Sequence, residues 1–167
     1  GKSSLLRVLA GLTPAEAGTA RLGDVALADG EAWREQVALA GHQDAVKPAL
    51  TVRENLAAWA AMEGRAAAEA DAALERFGLE GLASDPAQWC SAGQKRRLGL
   101  ARLLVTRRVR WLLDEPTVSL DVRWTSVFAE AVRAHCDAGG LALAASHVDM
   151  GFGGGAEVEM SAATSKD

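Results

Sequence analysis

Long apolar runs are missing from this chain, and their absence is the first thing the sequence decides. No stretch approaches the ~18 residues needed to span a bilayer, so any role at a membrane needs another chain to supply the crossing. The opening residues, Gly1-Lys2-Ser3-Ser4, lack the charged-then-apolar build of a signal peptide. Cysteine is scarce. Cys90 and Cys136 stand far apart with no CxxC pair, so neither a disulfide framework nor a zinc site is indicated, and a reducing cytosol is the default expectation. A basic surplus is missing too: 18 Lys and Arg face 22 Asp and Glu, for a net charge of -4. That balance leaves no electrostatic footprint for nucleic acid, and no nucleic-acid partner is expected. There is no internal repeat, no second domain, no CxxCH and no sustained heptad pattern. The chain also lacks an initiating Met and opens inside what reads as a motif, so an amino-terminal truncation is expected. What remains is a globular composition, 49% hydrophobic and 24% charged over 167 residues, enough to bury one core.

The stretch that organises the rest is Trp111-Leu112-Leu113-Asp114-Glu115-Pro116-Thr117-Val118-Ser119-Leu120-Asp121. A short apolar run that ends abruptly in two carboxylates suits a strand buried on both faces of a parallel sheet, its carboxyl end opening into a ligand crevice. Pro116 cannot continue the ladder. Arg110 interrupts the apolar run, so the strand is expected over residues 111–114. Adjacent acids at such a point suit Asp114 holding a metal through water and Glu115 orienting or deprotonating a water beside a phosphate.

Taken from the start, Leu5, Leu6, Val8 and Leu9 lie on helical spacing and end at Gly11. A helix therefore begins within a few residues of Gly1, as in the second half of a phosphate-binding loop, with Lys2 reaching phosphates and Ser3 ligating Mg²⁺. Residues 17–29 read as short antiparallel strands. Residues 37–41 read as a buried strand running into His42-Gln43-Asp44, where a neutral amide could bridge a metal or its water. Thr51-Val52-Arg53-Glu54 is a capping box, with Val52, Leu56, Trp59 and Ala60 on one face of the helix behind it. A second helix is expected over residues 66–77, stopped by Gly78. Ser91 is placed to cap a third helix, and its hydroxyl, the Gly93 amide and the positive helix end form a second anion site. Lys95, Arg96 and Arg97 are expected on a solvated face. Residues 121–137 read as a helix with Val127, Ala131 and Ala134 inward, residues 141–146 as a buried strand with His147 at its end, and residues 157–160 as a short strand before a fraying tail at 161–167.

In this order the motifs, from Gly-Lys-Ser through Gln43, Ser91-Ala92-Gly93-Gln94 and Asp114-Glu115 to Asp121 and His147, make the chain resemble the ATP-binding-cassette (ABC) ATPases over nearly its whole length. The resemblance implies an α/β fold of the P-loop NTPase type, a RecA-like parallel sheet flanked by helices, within a single domain at 1–167 that carries a small helical subdomain at about 46–106. It implies that Gly1, Lys2, Ser3 and Ser4 are the surviving end of Walker A and that Gln43 is the glutamine near Mg²⁺. Ser91, Ala92, Gly93 and Gln94 look like the family signature, Asp114 like the Walker B aspartate, Glu115 like the catalytic base, Asp121 like the D-loop aspartate and His147 like the switch histidine. ATP and Mg²⁺ are the implied ligands, the ion held by Ser3, Gln43 and Asp114, partly through water. Two departures are visible: Cys90 stands where the family usually has Leu, a small apolar replacement expected to pack alike, and Ala92 replaces the commoner Gly without removing a backbone donor.

The loop Gly41-His42-Gln43-Asp44-Ala45-Val46-Lys47-Pro48 with Leu50-Thr51-Val52-Arg53-Glu54-Asn55-Leu56, the form Ser91-Ala92-Gly93-Gln94 and the run from Asp114 to Asp121 look most like the haem-exporter ATPase of cytochrome c maturation. That likeness implies two copies sandwiching two ATP molecules head to tail, docked on integral-membrane permease subunits at the cytoplasmic face of a bacterial inner membrane. Alternatives are the ATPase of another small-molecule exporter, a non-transport cassette ATPase, or a truncated fragment that binds nucleotide weakly. The interval from Ser4 to Ser91 is too short for a long-arm DNA-repair cassette, and no Asn-Lys-x-Asp segment supports a GTPase.

Overall fold

The computed structural model describes residues 1–106 and 108–160. Along them run α1 (Lys2–Leu9), β1 (Arg21–Leu22), β2 (Val25–Ala26), α2 (Glu31–Arg34), β3 (Val37–Ala40), α3 (Val52–Met62), α4 (Ala67–Arg76), α5 (Ala92–Val105), β4 (Arg110–Asp114), α6 (Val122–Asp137) and β5 (Leu141–Ala145). β1 and β2 pair as a small antiparallel hairpin, while β3, β4 and β5 form a parallel sheet in the order β3-β4-β5. Leu112 of the central strand lies opposite Leu39 on one side and Leu143 on the other.

Alternation along each strand decides which helices cover it. Val37, Leu39, Leu112, Leu143 and Ala145 share one face with Leu6, Leu9 and Ala10 of the α1 segment. Ala38, Ala40, Trp111, Leu113, Ala142 and Ala144 share the other with Leu98 and Ala101 of α5 and Phe128 and Val132 of α6. A strand covered on both sides reads as an unbroken apolar run, as Trp111, Leu112 and Leu113 at the centre of β4 do. Leu113 is fully enclosed. Truncating it should cost about 2–5 kcal/mol of unfolding free energy, and urea unfolding of Leu113→Ala checks this.

Local chemistry sets the helix ends. The Thr51 hydroxyl accepts from the Glu54 N–H at 3.1 Å and the Glu54 carboxylate accepts from the Thr51 N–H at 2.7 Å, which holds the Glu54 carboxyl below its ordinary range. Behind this cap Val52, Leu56 and Ala60 are buried. α4 ends before Gly78, which has φ +59° and lies so close to the Trp124 indole that any side chain there would collide with it. Both constraints select glycine.

Three sequence expectations need correction. β4 includes Arg110, whose guanidinium reaches the Gln36 side chain and the Leu22 carbonyl, so the charge leaves the sheet while the backbone stays in it. The inward face of α6 is Phe128, Ala129, Ala131 and Val132, whereas Val127 is half-buried and Ala134 exposed. Residues 157–160 are exposed and form no strand. The expected tail at 161–167 lies outside the described residues.

Candidate functional site

The start of α1 is an array of donors. Gly1 is its N-cap and offers no side chain, and the first helical bond runs from the Leu5 N–H to the Gly1 carbonyl at 2.9 Å, so the N–H groups of Lys2, Ser3 and Ser4 have no acceptor within the helix. Lys2 Nζ donates to the Ser146 carbonyl at 3.1 Å and lies 3.2 and 3.3 Å from the two ring nitrogens of His147. Ser3 Oγ donates to Asp114 Oδ1 at 2.9 Å. Ser4 is exposed in the same turn.

The two adjacent acids at the end of β4 take different partners. Asp114 accepts from Ser3, whereas Glu115 accepts from Ser146 Oγ at 3.4 Å and lies 3.7 Å from His147 Nε2. The Glu115 N–H donates to the Ala145 carbonyl at 2.9 Å, carrying the β4–β5 pairing one step past the strand. Glu115 sits at φ +45°, a left-handed conformation that a non-glycine residue adopts at a cost of about 1–3 kcal/mol. Three segments, the first turn of α1 and the ends of β4 and β5, thus bring Lys2, Ser3, Asp114, Glu115 and His147 together. Gln43 is exposed on the loop after β3, where it lines a cleft of about 920 Å³ shared with Ser3 and Asp114.

The predicted signature segment is a second cluster. Ser91 caps α5: its hydroxyl accepts from the Gln94 N–H at 3.2 Å, and Gln94 Oε1 accepts from the Ser91 N–H at 2.7 Å. Ala92 is exposed, and a Cβ on Gly93 would stand 2.8 Å from the Ser119 carbonyl, so the loop after β4 touches the α5 backbone there. Asp121 caps α6 by accepting from the Trp124 N–H at 2.9 Å. Cys90 is buried, as expected of an apolar replacement, and burial pushes its thiol up. Among the described residues, no hydrogen bond links Ser91 or Gln94 to Lys2, Ser3, Asp114, Glu115 or His147.

The solvated face expected for residues 95–97 is overturned at its centre. Arg96 is only 5% exposed, and its guanidinium bonds to the loops after β3 and β4. Arg97 is half-buried, donating to the Phe77 and Gly78 carbonyls and stacking 4.1 Å from the Trp124 ring. Nothing in the sequence marks the role of Asn55, whose buried amide accepts from the Lys47 N–H at 2.7 Å and donates to the Lys47 and Thr51 carbonyls, pinning the segment that follows Gln43. From the sequence Ser146 is only the end of a strand. A polar residue beside a candidate histidine at a strand's carboxyl end was the available signal.

The donor set fits a hard divalent cation with a phosphate chain. A hydroxyl and a carboxylate oxygen 2.9 Å apart supply two oxygen ligands, a small ion of the Mg²⁺ type keeps waters for its other positions, and free N–H groups with Lys2 supply donors for phosphate oxygens.

This fold and these clusters define the ATP-hydrolysing component of ABC transporters. Residues 1–118 match the family model described as ABC transporter, and the chain belongs to that family. Within it the chain is a member of the group of cytochrome c biogenesis ATP-binding export proteins. It is 52% identical over 152 residues to the cytochrome c biogenesis ATP-binding export protein CcmA of Paracoccus denitrificans, covering 91% of this chain and 67% of that protein. It is likewise 52% identical over 152 residues to CcmA of Ruegeria pomeroyi, covering 91% and 69%. The chain thus spans about two thirds of the length of these relatives. Among solved structures, the ATP-binding cassette MJ0796, a dimer in a post-hydrolysis state bound to ADP and Pi, superposes with a TM-score of 0.78 at 21% identity, covering 89% of this chain and 70% of that one. At that identity the likeness establishes the fold.

Proposed function

We propose that this ATPase powers haem export for c-type cytochrome biogenesis, working as two copies arranged head to tail on integral-membrane permease subunits at the cytoplasmic face of a bacterial inner membrane. The observation that carries the chemistry is the meeting of Ser3 with Asp114 and of Lys2 and Glu115 with His147. Lys2 and the first N–H groups of α1 hold the phosphate chain. Ser3 and Asp114 would hold Mg²⁺, with Gln43, which lines the same cleft, as a further oxygen ligand, partly through water. Bound there, Mg²⁺ would offset the charge that develops on the phosphate oxygens. Glu115 accepts the proton of a water whose oxygen attacks the γ-phosphorus as the bond to the bridging oxygen of ADP breaks. His147 steadies the γ-phosphate, and Lys2 meets the developing charge. Ser91, Ala92, Gly93 and Gln94 of one copy cap the nucleotide held by the other, and Asp121 faces the same junction.

Support for the wider setting comes from the relatives, which are export proteins of cytochrome c biogenesis, and from the dimeric state of MJ0796. Among the described residues, no helix is long and apolar enough to cross a membrane. The cleft between α1, β3, α3 and α5, reaching from Gln43 to Trp59 and Arg102, is the place where a permease segment would sense the Gln43 loop. Complementation tests the cargo. Introduced into Paracoccus denitrificans lacking its CcmA, with the permease genes intact, the protein should restore covalently bound haem in c-type cytochromes. Stable expression without that restoration would redirect the proposal to another exported molecule.

A further inference from the structure

Arg96 has no part in the chemistry above, yet all five of its guanidinium N–H groups find acceptors. Nε donates to the Pro116 carbonyl at 2.9 Å, and Nη2 donates to the Glu115 and Asp114 carbonyls at 2.8 and 3.3 Å. Nη1 donates to the Gly41 carbonyl at 2.9 Å and to Asp44 Oδ1 at 2.8 Å. Three consecutive carbonyls converge on one side chain because the backbone turns sharply at Glu115, the residue with φ +45°. Asp44 and Gly41 flank Gln43 on the other loop. One planar cation therefore joins the backbone of the residue after β4 to the loop after β3.

The helix carrying Arg96 is built for that proximity. A Cβ at Gly93 would stand 2.8 Å from the Ser119 carbonyl, and one at Gly99 would stand 2.8 Å from the Asp44 carbonyl and 2.9 Å from the Asp44 Cβ. At three-residue intervals along α5 the sequence thus places two glycines that admit loop backbones and, between them, the arginine that bonds to both loops. This same helix is capped by Ser91.

We propose that Arg96 is a positioning residue for ATP hydrolysis: it holds Glu115 in its left-handed conformation and ties the Gln43 loop to the helix headed by Ser91, so that the three move as one piece. The proposal rests on Glu115 being the proton acceptor. A lysine cannot replace Arg96, since a single ammonium on a flexible stem cannot span acceptors on both loops at once.

The test is steady-state Mg-ATPase kinetics of the purified protein carrying Arg96→Lys, Arg96→Met or Asp44→Asn, with ATP affinity and thermal unfolding measured alongside. Misplacing a reacting group by a fraction of its length lowers kcat without loosening nucleotide binding, so Arg96→Met should lose about 10–100-fold in kcat with KM for ATP within about threefold. Arg96→Lys should fall between it and the parent. Asp44→Asn, which removes the charge on the Gln43 side alone, should lose several-fold. Added to Glu115→Gln, each change should lower the residual rate little further, because the group being positioned is already gone. If Arg96→Met fails to fold, Arg96→Lys and Asp44→Asn decide the matter. Parental kcat in the folded Arg96→Lys and Asp44→Asn proteins, or a full multiplicative loss on top of Glu115→Gln, overturns the proposal. Failure of the underlying reading looks different: Glu115→Gln would itself turn over normally.

Discussion

Glu115→Gln is expected to bind ATP with a Kd within about threefold of the parent and to hydrolyse it about 10²–10⁴-fold more slowly. The substitution is nearly isosteric, so the strained backbone keeps its bonds from Arg96 and to the Ala145 carbonyl. The amide can still accept from Ser146, as the Glu115 carboxylate does at 3.4 Å. What it cannot do is take a proton from water. The expected loss corresponds to about 3–5 kcal/mol of transition-state stabilisation, which is the range for one general base. Single-turnover phosphate release gives the rate, and fluorescence of a bound nucleotide analogue gives the affinity. Slow hydrolysis with intact binding should also accumulate an ATP-dependent dimer on size-exclusion chromatography, the state in which Ser91 and Gly93 of one copy meet the other's nucleotide. Parental turnover would remove Glu115 from the chemistry, and a large rise in Kd would make it a binding residue instead.

The parts legible in the sequence were those whose partners lie close along the chain or repeat with a fixed period. The caps at Thr51 and Ser91 each span three residues, and their hydrogen bonds could be read as pairs. β4 announced itself because both of its faces are covered and its run is apolar. The role of Arg96 is not legible in the sequence, for the opposite reason. Its acceptors lie up to 55 residues away, and a charged triplet at a helix start is ordinarily solvated. Nothing local marks the middle member as buried, and only the fold brings Gly41, Asp44 and the Asp114–Pro116 carbonyls round it. On α6 the inward face was displaced by about one residue, or about 100° of helix. Small alanines there left the stripe broad, and contact with the sheet chose Phe128 and Val132. At the site itself, the resemblance gathered Lys2, Ser3, Asp114, Glu115 and His147, but it did not show that Ser146 lies between Lys2 and Glu115, bonded to both.

Asp114→Ala is expected to have the other large effect, and its signature separates Asp114 from its neighbour. Removing the carboxylate takes away the acceptor that meets Ser3 Oγ at 2.9 Å and leaves one protein oxygen where two had been adjacent. The cost falls on the cation: several kcal/mol of charge stabilisation disappear, equivalent to about 10³-fold in the Mg²⁺-dependent rate. Half-saturation should also move to higher Mg²⁺. Asp114→Asn keeps an oxygen for Ser3 but gives up the charge, so high Mg²⁺ should rescue it in part while leaving Asp114→Ala unrescued. The residue is half-buried at the end of its strand and belongs to neither hydrophobic cluster, so the thermal midpoint should change little. Glu115→Gln, by contrast, should leave the Mg²⁺ half-saturation where it was. Titrating Mg²⁺ against the single-turnover rate for the three variants therefore assigns the two carboxylates independently. If Asp114→Ala shares the Mg²⁺ dependence of the parent, the bond between Ser3 and Asp114 is a helix-to-strand brace and the cation is held elsewhere.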